Sequence, residues 1–283
     1  MNVLINDIGE RHVYKPEKLT EASEFIGKEL KTSGANVYFE EYTESITNHT
    51  CTNVIGEYPG HTWPEKILVV GAHYDTVRGT NGADDNGSGV AALLYVAKVI
   101  QQYGSAVTVR LVAFSNEEEP FFDTPDMGSN VHAKACADRG DDIIGAIVFE
   151  CLGYFNSAPG SQSLPFPINL ILPSTGHFML SVSNFKSRRF QKRFAQAYKG
   201  NSEIPLSKVV LPMKFRPARL SDHISFYRFG YDAVMVTNTG PFRNPHYHKQ
   251  SDTLDKLDFE NYGKNIIGLC HSIISLSNTT FDG

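Results

Sequence analysis

Along this chain the spacing of apolar residues switches repeatedly between the period of a helix and the unbroken runs of buried strands. Leu19, Ala22, Phe25, Ile26 and Leu30 recur at helical spacing within residues 15–31, with Pro16 at the first turn and Ser33-Gly34 beyond the end, which predicts an amphipathic outer helix. Residues 37–42 and 52–58 read as strands, the second closed by Pro59-Gly60. The apolar run Ile67, Leu68, Val69, Val70, Gly71 and Ala72 then predicts a buried strand, ending in His73-Tyr74-Asp75-Thr76. A Gly-rich turn and the stretch Ala83-Asp84-Asp85-Asn86-Gly87-Ser88-Gly89 follow, and Val90 opens a helix to about residue 103.

The second half repeats the alternation. Strands are predicted over 107–114 and 143–149, with a helix over 128–137 between them. Residues 156–167, rich in Ser, Pro and Gly, form a loop, and 168–172 reads as a further strand. A surface helix covers 184–199, Ser221 or Asp222 caps a short helix, 233–236 is a buried strand and the last helix runs over about 259–277. Strands alternating with helices predict an open α/β sheet, whose ligands sit beyond the carboxyl ends of its strands.

Composition narrows the class. In 283 residues no Pro/Ser-rich linker, charge block or internal repeat divides the chain, so a single domain spanning 1–283 is expected. Hydrophobic residues make up 41%, enough for an ordinary core. No apolar run approaches the roughly 18 residues that a membrane span needs, so no membrane partner is expected. The net charge of −5, from 26 Lys plus Arg against 31 Asp plus Glu, argues against broad binding to nucleic acid. Lys186 to Arg193 is basic, but its apolar positions fit an ordinary surface helix. The first residues have neither a basic leader nor a long apolar region, so a cytoplasmic rather than secreted chain is expected as given. Cys51, Cys136, Cys151 and Cys270 show no paired spacing and are expected as free buried thiols.

Candidate chemistry collects at the strand ends. His73 and Asp75 follow the first strong strand, with Asp85 in the loop behind them. Glu117 and Glu118 follow the second, Glu150 the third, and His248 lies on a late irregular loop. Read singly, each has a plain structural explanation: a core histidine, aspartates in turns and caps, a solvated glutamate run. Together they are a set of nitrogen and carboxylate donors without thiolates, which suits zinc in catalytic sites. Clustered carboxylates repel one another unless cations lie between them. Two metals bridged by one carboxylate would neutralise them and acidify water at neutral pH.

Gly71-Ala72-His73-Tyr74-Asp75, Gly82-Ala83-Asp84-Asp85-Asn86, Asn116-Glu117-Glu118, Phe149-Glu150 and Tyr247-His248-Lys249-Gln250-Ser251-Asp252-Thr253 together resemble the zinc aminopeptidase family that includes bacterial di-zinc leucyl aminopeptidases and glutamate carboxypeptidase. The resemblance extends from about residue 15 to the final helix, and five motifs in order are far more specific than any one of them. It implies a three-layer α/β sandwich with a mixed, mostly parallel sheet flanked by helices, two Zn2+ ions as cofactors and a peptide substrate cut at its N-terminus. Carried over by motif, Asp85 bridges the two zincs, His73 and Glu150 complete one site, and Glu118 and His248 the other. The same resemblance makes Glu117 the general base, Asp75 the acceptor that orients His73, and Tyr247 a donor to the oxyanion. It also implies a cis peptide between Asp85 and Asn86.

Two departures accompany the resemblance. Many relatives have Asp where Glu150 stands, and no length is left for the protease-associated or dimerisation domains of larger relatives, so a compact catalytic domain is expected. Two other functions fit parts of the pattern. A glutaminyl-cyclase-like acyltransferase with one zinc shares His73-Tyr74-Asp75 and Asp222-His223-Ile224 in similar form, but usually has Trp where Tyr247 stands. A silent binding protein on the same scaffold is disfavoured because every candidate ligand is intact. Side-chain specificity and oligomeric state are not legible; Arg219 and Arg243 are candidates for acid selection or for structural ion pairs.

Overall fold

The computed structural model describes residues 1–279. Eight strands form one sheet: β1 (Asn36–Thr43), β2 (Thr50–Tyr58), β3 (Trp63–His73), β4 (Val107–Phe114), β5 (Asp142–Glu150), β6 (Met179–Ser183), β7 (Leu206–Val210) and β8 (Ala233–Thr237). Their order is β1-β2-β4-β3-β5-β8-β6-β7. The central strands β4, β3, β5 and β8 are parallel, while β1, β2 and β6 join antiparallel neighbours. Six helices cover the faces: α1 (Pro16–Thr32), α2 (Gly89–Tyr103), α3 (Gly128–Arg139), α4 (Arg188–Lys199), α5 (His223–Arg228) and α6 (Phe259–Ser277).

Side-chain alternation along β3 sorts the two cores. Leu68, Val70 and Ala72 join residues of α1, α2, α4 and α6 in the larger one, whereas Ile67 and Val69 face Ala133 and Cys136 of α3 and Phe226 of α5. The result is the expected three-layer α/β sandwich. From Ile67 to His73 β3 is buried, because both of its neighbours are parallel strands and helices lie on both faces. Its Gly71 is required by packing: a Cβ there would come within 2.2 Å of the Phe114 ring on β4.

Three local expectations are corrected. Residues 168–172 are not a strand; Ile168–Leu170 is a single 3-10 turn between proline-rich segments, with Leu170 and Ile171 exposed. The sequence does not predict strands β6 and β7, since five residues with interspersed Ser and Lys give little periodicity. Neither Ser221 nor Asp222 caps α5: the Ser221 hydroxyl donates to Glu150, and both Asp222 oxygens are buried without a hydrogen bond. The basic segment forms α4, burying Phe190, Phe194 and Tyr198, and all four cysteines are free and buried. Among the described residues no helix is long and apolar enough to cross a membrane.

Under α3, His132 lies with Nδ1 3.1 Å from Glu40 and Nε2 3.5 Å from Cys136 Sγ. Burial works against its charge, but hydrogen bonds with Cys136 and Glu40 prevail and raise its pKa from 6.5 to about 9. A raised folded pKa means that the protonated ring stabilises the fold. That contribution is complete below pH 6.5 and is lost as pH rises through about 9. Unfolding measured across this window should therefore show wild type losing stability relative to His132→Gln; parallel curves would refute the assignment.

Candidate metal centre

Four parallel strands deliver the site at their carboxyl ends. β3 ends on His73 and β5 on Glu150, both buried. Glu117 and Glu118 stand just past β4, and His248 lies on the loop beyond β8. Asp85 is presented by an irregular turn over Ala83–Ser88, entered through Gly82 in the left-handed region at φ 62°. A Cβ at Gly82 would lie 2.3 Å from the Asp85 carbonyl oxygen, so the turn needs glycine. The Asp85-Asn86 peptide is cis, as the resemblance implied. Asn116, Cys151 and His248 have φ between 52° and 56°, a left-handed backbone gathered around the site.

The distances fall on two sides of Asp85. Its Oδ1 lies 3.3 Å from His73 Nε2, which is also 3.4 Å from Glu150 Oε2. Its Oδ2 lies 3.0 Å from His248 Nε2, which is 3.4 Å from Glu118 Oε2. Glu117 stands further back, its Oε2 3.9 Å from His73 Nε2. Donor atoms of His73, Asp85 and Glu150 lie within 4.8 Å of one another, as do those of Asp85, Glu118 and His248. The longer Glu150 side chain still reaches the cluster, its oxygens accepting from Ser221 Oγ at 2.7 Å and Cys151 Sγ at 3.1 Å.

Asp75 lies 3.4 Å from His73 Nδ1 and does more than that contact implies. Its two oxygens accept from the backbone N–H groups of Glu117 and Glu118, at 3.0 and 3.1 Å. One carboxylate therefore ties the end of β3 to the glutamate pair after β4. The ring of Tyr247 stacks on His248 with centroids 3.8 Å apart and borders an apolar pocket; its hydroxyl makes no described hydrogen bond.

These residues fit a divalent metal pair. His73 Nδ1 and Nε2, Asp85 Oδ2 and Glu118 Oε1 are buried without a hydrogen-bond partner, although such atoms are normally satisfied. Electrostatics agree. Burial and the charge of Asp85 push the Glu118 carboxyl up to about 7, and burial with Glu118 and Glu150 raises Glu117 well above the usual range. Against the effect of burial, Asp85 and Glu118 raise His248 to about 10. Left to themselves, these acids are accommodated only by taking up protons; cations relieve the same repulsion.

Several supporting residues were not legible. Asp84, next to Asp85, turns away and accepts from Gly153 N at 2.8 Å, Asn238 Nδ2 at 2.8 Å and Asn244 Nδ2 at 2.9 Å. Asp252 accepts from the Asp84 and Asp85 N–H groups at 3.0 and 3.1 Å, holding the turn from below. Its place in the His248 motif was the only signal for it. Arg219 pairs with Asp123, whereas Arg243 is buried, with Nε 2.9 Å from Gln162 Oε1 and its guanidinium over Phe178.

Facing imidazole and carboxylate donors without a thiolate, at the carboxyl ends of parallel strands, suit the zinc centre of a hydrolase. The model of Peptidase family M28 matches residues 53–271, and the chain belongs to that family. It is 31% identical over 262 residues to the uncharacterized protein YfbL of Escherichia coli, covering 89% of this chain and 79% of YfbL. A probable leucine aminopeptidase 1 of Trichophyton verrucosum is 26% identical over 269 residues, covering 89% of this chain and 66% of that relative. In structure the chain resembles BSAP, a zinc aminopeptidase from Bacillus subtilis, with a TM-score of 0.78 at 13% identity over 99% of this chain and 93% of the other.

Asp75→Asn is expected to weaken zinc binding about 10–100-fold, as loss of an orienting partner does elsewhere. Its oxygens also hold the Glu117 and Glu118 backbone, and an amide retains only one acceptor. Zinc titration against a competing chelator measures the effect; wild-type affinity in the variant would assign Asp75 no part in the centre.

Proposed function

We propose that this chain is an aminopeptidase that removes apolar residues from the N-terminus of peptides, and that two zinc ions would be held there with Asp85 as a ligand common to both. His73 and Glu150 complete one set of ligands, and Glu118 and His248 the other. The two-sided placement of the Asp85 carboxylate carries this reading: one oxygen faces His73 and the other His248, at 3.3 and 3.0 Å. A single-ion cyclase would need only one of those faces. When bound, zinc supplies Lewis acidity, lowering the pKa of water and polarising the scissile carbonyl.

The chain's own residues supply the rest. Glu117, set back from the imidazoles, takes a proton from the attacking water and returns it to the leaving amine. Asp75 keeps Glu117 and Glu118 in place through their backbone. The imidazole of His248 is 36% exposed whereas those of His73 and the acids are nearly covered, so substrate enters from the His248 side. Tyr247, whose ring stacks on His248, is the proposed donor to the oxyanion.

The pocket lined by Glu150 and Tyr247 is otherwise largely apolar, walled by Leu164, Ile168, Val182, Val209, Met235 and Phe242, and Glu150 is the charged side chain in its lining. A large apolar side chain gains there what a charged one loses by desolvation. Leucyl or phenylalanyl amides should therefore be cleaved at least about tenfold faster in kcat/KM than aspartyl or lysyl amides. Release of amino acids from free, N-acetylated and glutaminyl peptides, with parallel metal analysis, tests the assignment. Cyclisation of the glutaminyl peptide without hydrolysis of the free ones would favour the acyltransferase instead.

A further inference from the structure

Arg11 lies ahead of every motif, yet it is among the largest fully buried side chains in the described chain. Its guanidinium is spent on carbonyl oxygens from three segments. Nε donates to Tyr74, Nη1 donates to Asn81 at 2.7 Å and Gly9 at 2.9 Å, and longer contacts of 3.5 Å run from Nη1 to Leu4 and from Nη2 to Gly82. The backbone adds a reciprocal link, Arg11 N to Thr76 Oγ1 at 3.2 Å and Thr76 N to the Arg11 carbonyl at 2.8 Å. Next to it the Ile5 side chain fills the space above Gly87, where a Cβ would come within 2.4 Å of Ile5 Cδ1.

Two of the three anchored segments border the metal centre. Tyr74 lies between His73 and Asp75 at the end of β3, and Asn81-Gly82 opens the turn that presents Asp85. No hydrogen bond runs from the His73 backbone to that turn among those described; the guanidinium fork spans the two segments. A planar group with donors in fixed directions can set such a separation, and a lysine ammonium, a single point on a flexible stem, cannot. Burial lowers the Arg11 pKa to about 10, so the group remains a cation at neutral pH, and Asp75, Asp252 and Asp85 are the acids it feels.

We propose that Arg11 is a positioning residue for the metal centre: its guanidinium fixes the separation between the His73 strand end and the Asp85 turn, and with it the affinity for zinc. This rests on the metal reading of the site given above. Arg11→Lys keeps the charge and removes the fork, so it separates geometry from electrostatics. Leu30→Ala, which opens a cavity under α1 far from the site, supplies a destabilised control.

Zinc is titrated into metal-free wild type, Arg11→Lys and Leu30→Ala against a chromophoric chelator, and thermal melting is followed with and without zinc. Arg11→Lys is expected to lose about 10–100-fold in affinity for at least one zinc, the size seen when a supporting partner is removed. Its melting temperature should rise less on zinc addition than that of wild type. Leu30→Ala should melt lower but bind zinc as wild type does. An Arg11→Lys protein that melts lower while keeping wild-type zinc affinity would make the residue merely structural and overturn the inference. Wild type that takes up no zinc would overturn the metal reading itself. Should Arg11→Lys not fold, Arg11→Gln, whose shorter planar amide cannot reach both segments, is titrated in the same way; weaker zinc binding is expected there too, and wild-type affinity would reject the proposal.

Discussion

Glu117→Gln should keep its zinc and lose turnover on amino-acid amides by at least roughly a hundredfold, because general-base catalysis contributes about 10²–10⁴-fold. The two adjacent glutamates are chemically alike, but they stand differently. Glu118 Oε2 lies 3.4 Å from His248, and Glu118 joins donor groups with both Asp85 and His248 and with His73 and Glu117, whereas Glu117 joins only the latter, its Oε2 3.9 Å from His73 Nε2. Asp75 fixes both backbones, so the side chains cannot simply exchange roles. Burial and the neighbouring Glu118 and Glu150 raise the Glu117 carboxyl well above its usual range. Gln preserves size and loses only the base. Glu118→Gln, in contrast, should lose affinity for one zinc. Metal analysis and steady-state kinetics on both variants decide: a fully active Glu117→Gln, or one that loses zinc while Glu118→Gln retains it, would reverse the assignment.

Asp85→Asn should be more severe, dropping zinc below two equivalents and turnover by at least about a hundredfold, since it removes a ligand rather than a partner of one. A carboxylate offers an acceptor on each face; a carboxamide offers one oxygen and an NH2 group that only donates. With Asp85 Oδ1 toward His73 and Oδ2 toward His248, one set must lose its shared ligand whichever way the amide turns. Against burial, His248 and His73 hold the Asp85 carboxyl below the usual carboxylate range, so it is ionised throughout the neutral region. Removing that charge leaves the cationic side of the cluster without its central partner. Zinc stoichiometry by titration, together with turnover, measures the loss; two tightly held zincs in Asp85→Asn would exclude the bridge.

The sequence by itself determined the order of the main strands and helices and the residues that gather at the strand ends. Both follow from local signals. An unbroken apolar run such as 67–72 has to be buried, and a polar donor placed at its end has to emerge at the sheet's rim. The motifs around His73, Asp85, Glu117 and Glu150 carried the chemistry because each donor lies within a few residues of an element boundary, whereas His248, on an irregular loop, was legible only through its own motif. What the local pattern did not hold was the partner of each group across the chain. Asp84 and Asp85 are neighbours with the same side chain, yet Asn238 and Asn244 draw one away while His73 and His248 face the other. Asp222 looked like a helix cap and is a buried carboxylate without a hydrogen bond. Strands β6 and β7 are held by β8 and by each other, although their own sequences favour no period. Arg11 reaches carbonyls more than sixty positions away in Tyr74, Asn81 and Gly82. Hydrogen bonds of that kind are decided by packing, because a buried donor must find whichever acceptor the folded chain brings to it.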